Sequence, residues 1–183
     1  MSEAVSALSG QTHEGFVTVS EAGLVGMISI RSDLEAKGLA KALKAEGLPV
    51  PGPRRIETAD GRSIAWMSPD ELLLICAHDE APALTDRLAK ALAGDHALVV
   101  NVSDARAMFT IRGEKADQVV MKLSPADIAT LPEGEIRRSR TAQVAAAFWR
   151  SGESEISLIS FRSVAGYVMG LLEVSAREGS DLF

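Results

Sequence analysis

Apolar positions along the chain fall into short alternating or helical runs punctuated by Gly and Pro, a pattern that predicts an α+β succession. From Leu24, residues Val25, Met27, Ser29 and Arg31 alternate with Gly26, Ile28 and Ile30 in a strand-like run. Ser32-Asp33-Leu34-Glu35 then has capping-box spacing, in which Ser and Glu satisfy free N–H groups at a helix start. Ala36, Leu39, Ala40 and Leu43 form an apolar stripe at helical spacing, stopped by Gly47 and Pro49. Pro49-Val50-Pro51-Gly52-Pro53 can neither continue a helix nor enter a central strand, so residues 48–61 read as a connection. Residues 63–67 and 72–76 predict a hairpin closed by a type I turn at Ser68-Pro69-Asp70-Glu71. Leu84, Leu88 and Leu92 mark a helix that Gly94 stops, and residues 97–102 are an apolar, β-branched strand.

The second half repeats the first. Residues 105–112 predict a strand, and Gly113 opens a helix carrying Ala116, Val119, Val120 and Leu123. Ser124-Pro125 ends that helix, and Pro132 and Gly134 break the stretch to Arg140. Residues 143–149 and 155–161 form a hairpin around Ser151-Gly152-Glu153, followed by a helix from about Arg162 to Ala176. Met27-Ile28-Ser29-Ile30-Arg31 matches Met108-Phe109-Thr110-Ile111-Arg112, and Trp66 and Trp149 each stand near the end of a first hairpin strand. The unit is βαββα, present twice over about residues 24–102 and 105–176, with 97–102 as an added strand. Two such units are expected to bury their sheet faces in a single α+β domain over residues 23–183. Residues 1–22, rich in Ser, Gly, Glu and Ala, lack a period and read as a tail, either flexible or docked on a partner.

Composition narrows the function classes. Across 183 residues, 46% hydrophobic and 24% charged residues suit a soluble globular protein, and 19 basic against 25 acidic residues give a net charge of −6. That acidic balance argues against a nucleic-acid binder. Cys76 is the one cysteine, which excludes internal disulfides and multi-thiolate metal sites; at the end of an apolar run it reads as a buried, inert thiol. No apolar stretch reaches the roughly 20 residues of a membrane span, and no signal-peptide pattern opens the chain, so a cytoplasmic location with no membrane partner is expected.

Candidate chemistry is sparse. His13, His78 and His96 lack metal-ligand spacing and read as exposed loop residues; Ser163 reads as a helix N-cap rather than a nucleophile. Gly23-Leu24-Val25-Gly26 has the spacing of a phosphate-clamping loop but leads into a strand. Arg137, Arg138 and Arg140 place three guanidiniums in four residues, able to clamp an anion or meet acids of a partner. No catalytic, cofactor-binding or metal-ligating residue is expected.

Two segments carry a resemblance. Val100-Asn101-Val102-Ser103-Asp104-Ala105-Arg106 through Gly113 resembles the strand, Ser-x-x-Arg, strand, Gly passage of the glycine-cleavage T-protein and folate-binding superfamily. Trp66-Met67-Ser68-Pro69-Asp70-Glu71 resembles the hairpin of one branch, the gamma subunits of heterotetrameric sarcosine oxidase. Leu123-Ser124-Pro125-Ala126-Asp127, Pro132-Glu133-Gly134, Ser139-Arg140-Thr141-Ala142, Phe148-Trp149-Arg150 and Phe161-Arg162-Ser163-Val164-Ala165-Gly166-Tyr167 follow that branch's order, over about residues 24–176. The resemblance implies two ferredoxin-like repeats in a folate-binding-domain-like body. It implies a structural, non-catalytic subunit of a complex that oxidises sarcosine to glycine, yielding hydrogen peroxide and either formaldehyde or methylene-tetrahydrofolate. The partners implied are alpha, beta and delta subunits; FAD, FMN, NAD and tetrahydrofolate would lie on the large subunits and zinc on delta. The Arg137, Arg138 and Arg140 tract and residues 1–22 are then candidate docking surfaces. The alternative expectation is a stand-alone folate-binding or aminomethyl-transfer protein, with Asp104 or Asp127 holding the pterin.

Overall fold

Backbone pairing sorts the chain into two sheets. The computed structural model describes residues 3–183, and in it the first half runs β1 (Thr12–Glu14), β2 (Thr18–Glu21), β3 (Val25–Arg31), α1 (Lys37–Ala45), β4 (Ile56–Ala59), β5 (Arg62–Ser68), β6 (Glu71–Ala77), α2 (Ala81–Ala91) and β7 (Leu98–Asn101). The second half runs β8 (Arg106–Arg112), α3 (Ala116–Leu123), β9 (Ile136–Thr141), β10 (Val144–Gly152), β11 (Glu155–Phe161) and α4 (Ala165–Ser175). The α+β class and the two repeats are as expected, and each repeat carries one more strand than the βαββα reading.

One compact unit spans Val25–Ser103. Its sheet is antiparallel in the order β4-β5-β6-β3-β7. Alternation puts Ile28 and Ile30 of β3 and Leu72 and Leu74 of β6 on one face, where they pack with Leu39 and Leu43 of α1 and Leu84 and Leu88 of α2. Two local expectations fail. The capping box does not form: Asp33 Oδ1 accepts the Glu35 N–H at 3.0 Å, the Ser32 N–H donates to the Asp70 carbonyl, and α1 starts after Ala36 with no side-chain cap. A short acidic side chain has satisfied the backbone in a turn before the helix could use it. The 48–61 connection also contains a strand, β4, joined to β5 through Asp60 and Gly61, both at positive φ as a two-residue hairpin loop requires. Glu46, just past α1, accepts Arg87 Nε and Nη2 at 2.8 and 2.9 Å and faces Arg62 at 3.5 Å; Arg62 also pairs with Glu80. This network joins α1, β5 and the start of α2.

The other unit joins Asp104–Phe183 to the described residues up to Leu24, with the sheet order β1-β2-β8-β11-β10-β9. Val19, Phe109, Ile111, Phe148, Ile156 and Leu158 pack against Val119 and Val120 of α3 and Val168 and Leu172 of α4. Gly113, at φ +141°, turns the chain from β8 towards α3 where a Cβ would stand 2.8 Å from Val17 Cγ1. The expected Ser163 cap is replaced by a 3₁₀ turn, Arg162–Val164, and α4 starts with no side-chain cap.

The N-terminal segment departs most from expectation. Instead of a flexible tail, residues 12–21 form the β1–β2 hairpin, and β2 pairs with β8 from Thr18↔Arg112 to Glu21↔Phe109. Glu21, only 4% exposed, accepts Ser6 Oγ, the Ala7 N–H and the Gly10 N–H at 2.8, 3.1 and 2.8 Å. Arg162 donates to the carbonyls of Val5 and Ser6. Lys122 of α3 donates to the Ser175 carbonyl at 2.6 Å and lies 4.9 Å from the centre of the Phe16 ring. Polar backbone anchoring, with Val17 and Val19 buried in the core and Ala7, Leu8 and Phe16 partly buried against it, leaves almost no hydrophobic period to read.

Replacing Glu21 with Ala should cost about 2–4 kcal/mol, because three donors lose a buried acceptor; urea unfolding, with faster amide exchange at residues 6–10, measures it. A second expectation concerns pH. The Arg87 hydrogen bonds hold the Glu46 carboxyl below its usual 4.5 against the opposing effect of burial. The network therefore stabilises fully above that value and loses its contribution as pH falls through the lowered folded value. Arg87→Ala should flatten the acid limb of melting temperature against pH below 4.5, with little effect on its shape near neutrality.

Candidate docking surface

The arginine tract lies on β9, an edge strand rather than a broken loop. Its register with β10 pairs Arg137 with Phe148, Arg138 with Ala147 and Arg140 with Ala145. Strand alternation therefore splits the three arginines. Arg137 shares the helix-covered face with Phe148; it pairs with Glu135 at 2.5 Å, and its Nε is buried without an acceptor. Arg138 and Arg140 lie on the opposite face and are exposed. The tract is thus a strip of two guanidiniums two residues apart, with the third serving its own unit. Positive charge on an edge deters strand addition and attracts an acidic surface.

Other side chains with chemical potential are committed to structure. The Cys76 thiol is buried on the core face of β6, and burial, with Glu80 nearby, raises its pKa to about 11. His13 is not a loop residue: it lies in β1, half-buried, with its Nε2 enclosed and unpartnered. His78 is half-buried and His96 exposed. Asp104 and Asp127 are both exposed, and the Asp127 carboxylate accepts the Ala129 N–H at 3.1 Å. Among the described residues no three His, Cys, Asp or Glu side chains are grouped to hold a metal ion, and no helix is long and apolar enough to cross a membrane.

Several residues with structural or surface roles escaped the sequence reading. Arg31 ends β3 and reaches Asp70 at 2.8 Å and Glu71 at 3.1 Å, which fastens the Trp66–Glu71 hairpin to the neighbouring strand. Arg150 donates to the carbonyls of Leu131 and Ile128 and holds the loop ahead of β9. Neither pairing is local in sequence, and no short motif announces it. Trp149 is buried on the sheet face away from the helices, and Trp66 is half-buried beside the core of its unit.

Two repeats of one antiparallel sheet-and-helix unit, with an exposed basic edge on one of them, define an α+β protein of folate-binding-like fold. The chain belongs to the sarcosine oxidase, gamma subunit family, whose model matches residues 31–178. It is 31% identical over 144 residues to sarcosine oxidase subunit gamma of Corynebacterium sp. (strain U-96), covering 76% of this chain and 69% of that relative. The corresponding subunit of Arthrobacter sp. is also 31% identical over 144 residues, covering 76% of this chain and 70% of the relative. Among solved structures, a chain of heterotetrameric sarcosine oxidase from Corynebacterium sp. U-96, in complex with pyrrole 2-carboxylate, superimposes with TM-score 0.82 at 24% identity, over 90% of this chain and 87% of that one. Glycine cleavage system aminomethyltransferase T from Bartonella henselae gives TM-score 0.70 at 14% identity, over 94% of this chain and 48% of the enzyme, and shares the fold.

Native protein should leave Cys76 unmodified by a thiol reagent at pH 8, where a thiol titrating near 11 is about one part in a thousand thiolate. Unfolding in urea should release one reactive thiol per chain. Rapid labelling of the folded chain would contradict the buried placement.

Proposed function

We propose that this chain is a non-catalytic subunit of a heterotetrameric sarcosine oxidase, a body on which partner subunits assemble. On this reading the partners, of alpha, beta and delta type, carry out the oxidative demethylation of sarcosine to glycine, releasing hydrogen peroxide and forming formaldehyde or methylene-tetrahydrofolate. FAD, FMN, NAD, tetrahydrofolate and zinc belong to those partners. The observation that carries the proposal is membership of the gamma subunit family over residues 31–178. It is supported by how the reactive side chains are used: a buried thiol raised to about 11, and carboxylates engaged by Arg31, Arg62, Arg87 and Arg112 within the sheets and helices. The solved relative is a heterotetramer.

Arg138 and Arg140 form one contact with the partners, meeting acidic side chains at the β9 edge, and the N-terminal hairpin offers a second surface. Purified alone, the chain should show no flavin absorbance and no sarcosine-dependent peroxide formation. Mixed with the partner subunits it should co-elute as one complex with activity. Reversing charge with Arg138→Glu and Arg140→Glu should leave the free chain's stability within about 0.5 kcal/mol, as for exposed positions, and weaken assembly in a salt-sensitive manner. Sarcosine turnover by the isolated chain would refute the proposal.

A further inference from the structure

The Trp66–Glu71 hairpin contributes more to the surface than to the core. Trp66 ends the regular part of β5, where the register with β6 shifts between Trp66 and Ser68. Ser68 Oγ donates to Asp70 Oδ1 at 2.6 Å across the turn, and Arg31 binds both Asp70 and Glu71. These contacts hold Trp66 and Pro69 against a surface cavity of about 550 Å³, whose other apolar walls include Val50, Pro51 and Pro53. Asp33 and Glu35 stand at the same cavity. A second cavity of about 450 Å³ shares Asp33 and Pro69 and continues past Asp70 and Arg31 to Leu98 and His96. Both lie within the Val25–Ser103 unit.

The chemistry of this double groove is specific. Three carboxylates, Asp33, Glu35 and Asp70, line it against one guanidinium, Arg31, which already serves Asp70 and Glu71. A lining that combines an indole, prolines and carboxylates suits a Lys or Arg side chain, with methylenes against the aromatic surface and the charged head at the carboxylates. Prolines stiffen the wall, so little ordering is lost on binding. The groove also opens at the start of β7, which ends its sheet. β7 reads Leu98-Val99-Val100-Asn101, with no charge, and Leu98 and Val100 are 56% and 39% exposed. An uncharged, exposed, apolar edge invites an added strand, whereas the β9 edge is guarded by arginines.

We propose that this face receives an extended segment of a partner subunit, which lies along β7 and seats a Lys or Arg in the Trp66 groove. The inference rests on the assembly reading above and adds the surface used and the chemistry of the segment that fills it. The test uses the full chain with p-benzoylphenylalanine at position 50 or 98, assembled with its partner subunits, irradiated and mapped by mass spectrometry. Both positions should cross-link to one partner, within a stretch of about ten residues that contains a Lys or Arg. The double substitution Asp33→Lys with Glu35→Lys, and separately Trp66→Ala, should weaken assembly by about tenfold or more. Changing the mapped basic residue of the partner to Glu should restore assembly with the double variant. Normal assembly without these cross-links, cross-links to a second copy of this chain, or a mapped stretch lacking a basic residue would each overturn the inference and leave the assembly reading standing. Failure of the unmodified chain to assemble would overturn both.

Discussion

In each sheet the first strand of the repeat has backbone neighbours on both sides: β3 lies between β6 and β7, and β8 between β11 and β2. Such a strand, largely buried on its faces, leaves little access for water, so its N–H and C=O groups must find partners in the ladders. The hairpins supply one side of each. The other side comes from the strand that precedes the opposite repeat: β2 comes before β3 in sequence but pairs with β8, while β7 comes before β8 but pairs with β3. This reciprocal pairing makes the N-terminal hairpin an integral part of a sheet; Glu21 and Arg162 fasten what precedes it, and Lys122 lies against Phe16 within it.

The use of polar residues follows from the same need. Side chains of catalytic type hold strands and helices together, as when Arg31 secures a hairpin turn, Arg150 a loop and Arg87 two helices through Glu46. A buried thiol and carboxylates held by arginine are poor nucleophiles and poor general bases at neutral pH, for the reasons that make them good fasteners. The surface carries the distinguishing features instead. β9 and β7 are edges of opposite character, one with exposed guanidiniums and the other apolar and uncharged, beside an anionic groove. Contrasts of this kind between two edges favour different partners at each.

Much of the fold was legible because its signals are local. The short apolar strand runs of β3 and β8, the Leu stripe of α2 and the Pro69 turn each occupy fewer than about a dozen residues and report their own geometry. Asp60-Gly61 was an equally good hairpin signal, but the prolines ahead of it drew the whole of 48–61 into one connection. The Ser32–Glu35 box misled because Asp33 takes the backbone first. For the docking surface, the basic tract was visible as composition, yet a run of arginines does not say which of them share a face. The Trp66 hairpin was visible as a resemblance and gave no hint of a groove, since Val50, Pro51, Pro53 and Asp33 reach it from separate segments.

Periodicity and turn chemistry in the chain were thus sufficient for the α+β class and the internal duplication, since each depends on spacings of a few residues, while the family rested on the resemblance of short motifs. Strand neighbours were beyond them. Val17 and Val19 are too few to mark a strand, and only the unpaired edge of β8, some ninety residues away, makes that segment one. The division of Arg137 from Arg138 and Arg140, and the meeting of Trp66 with the Asp33 loop, have the same cause: pairing register and chain crossing depend on contacts between distant segments, which no local pattern encodes.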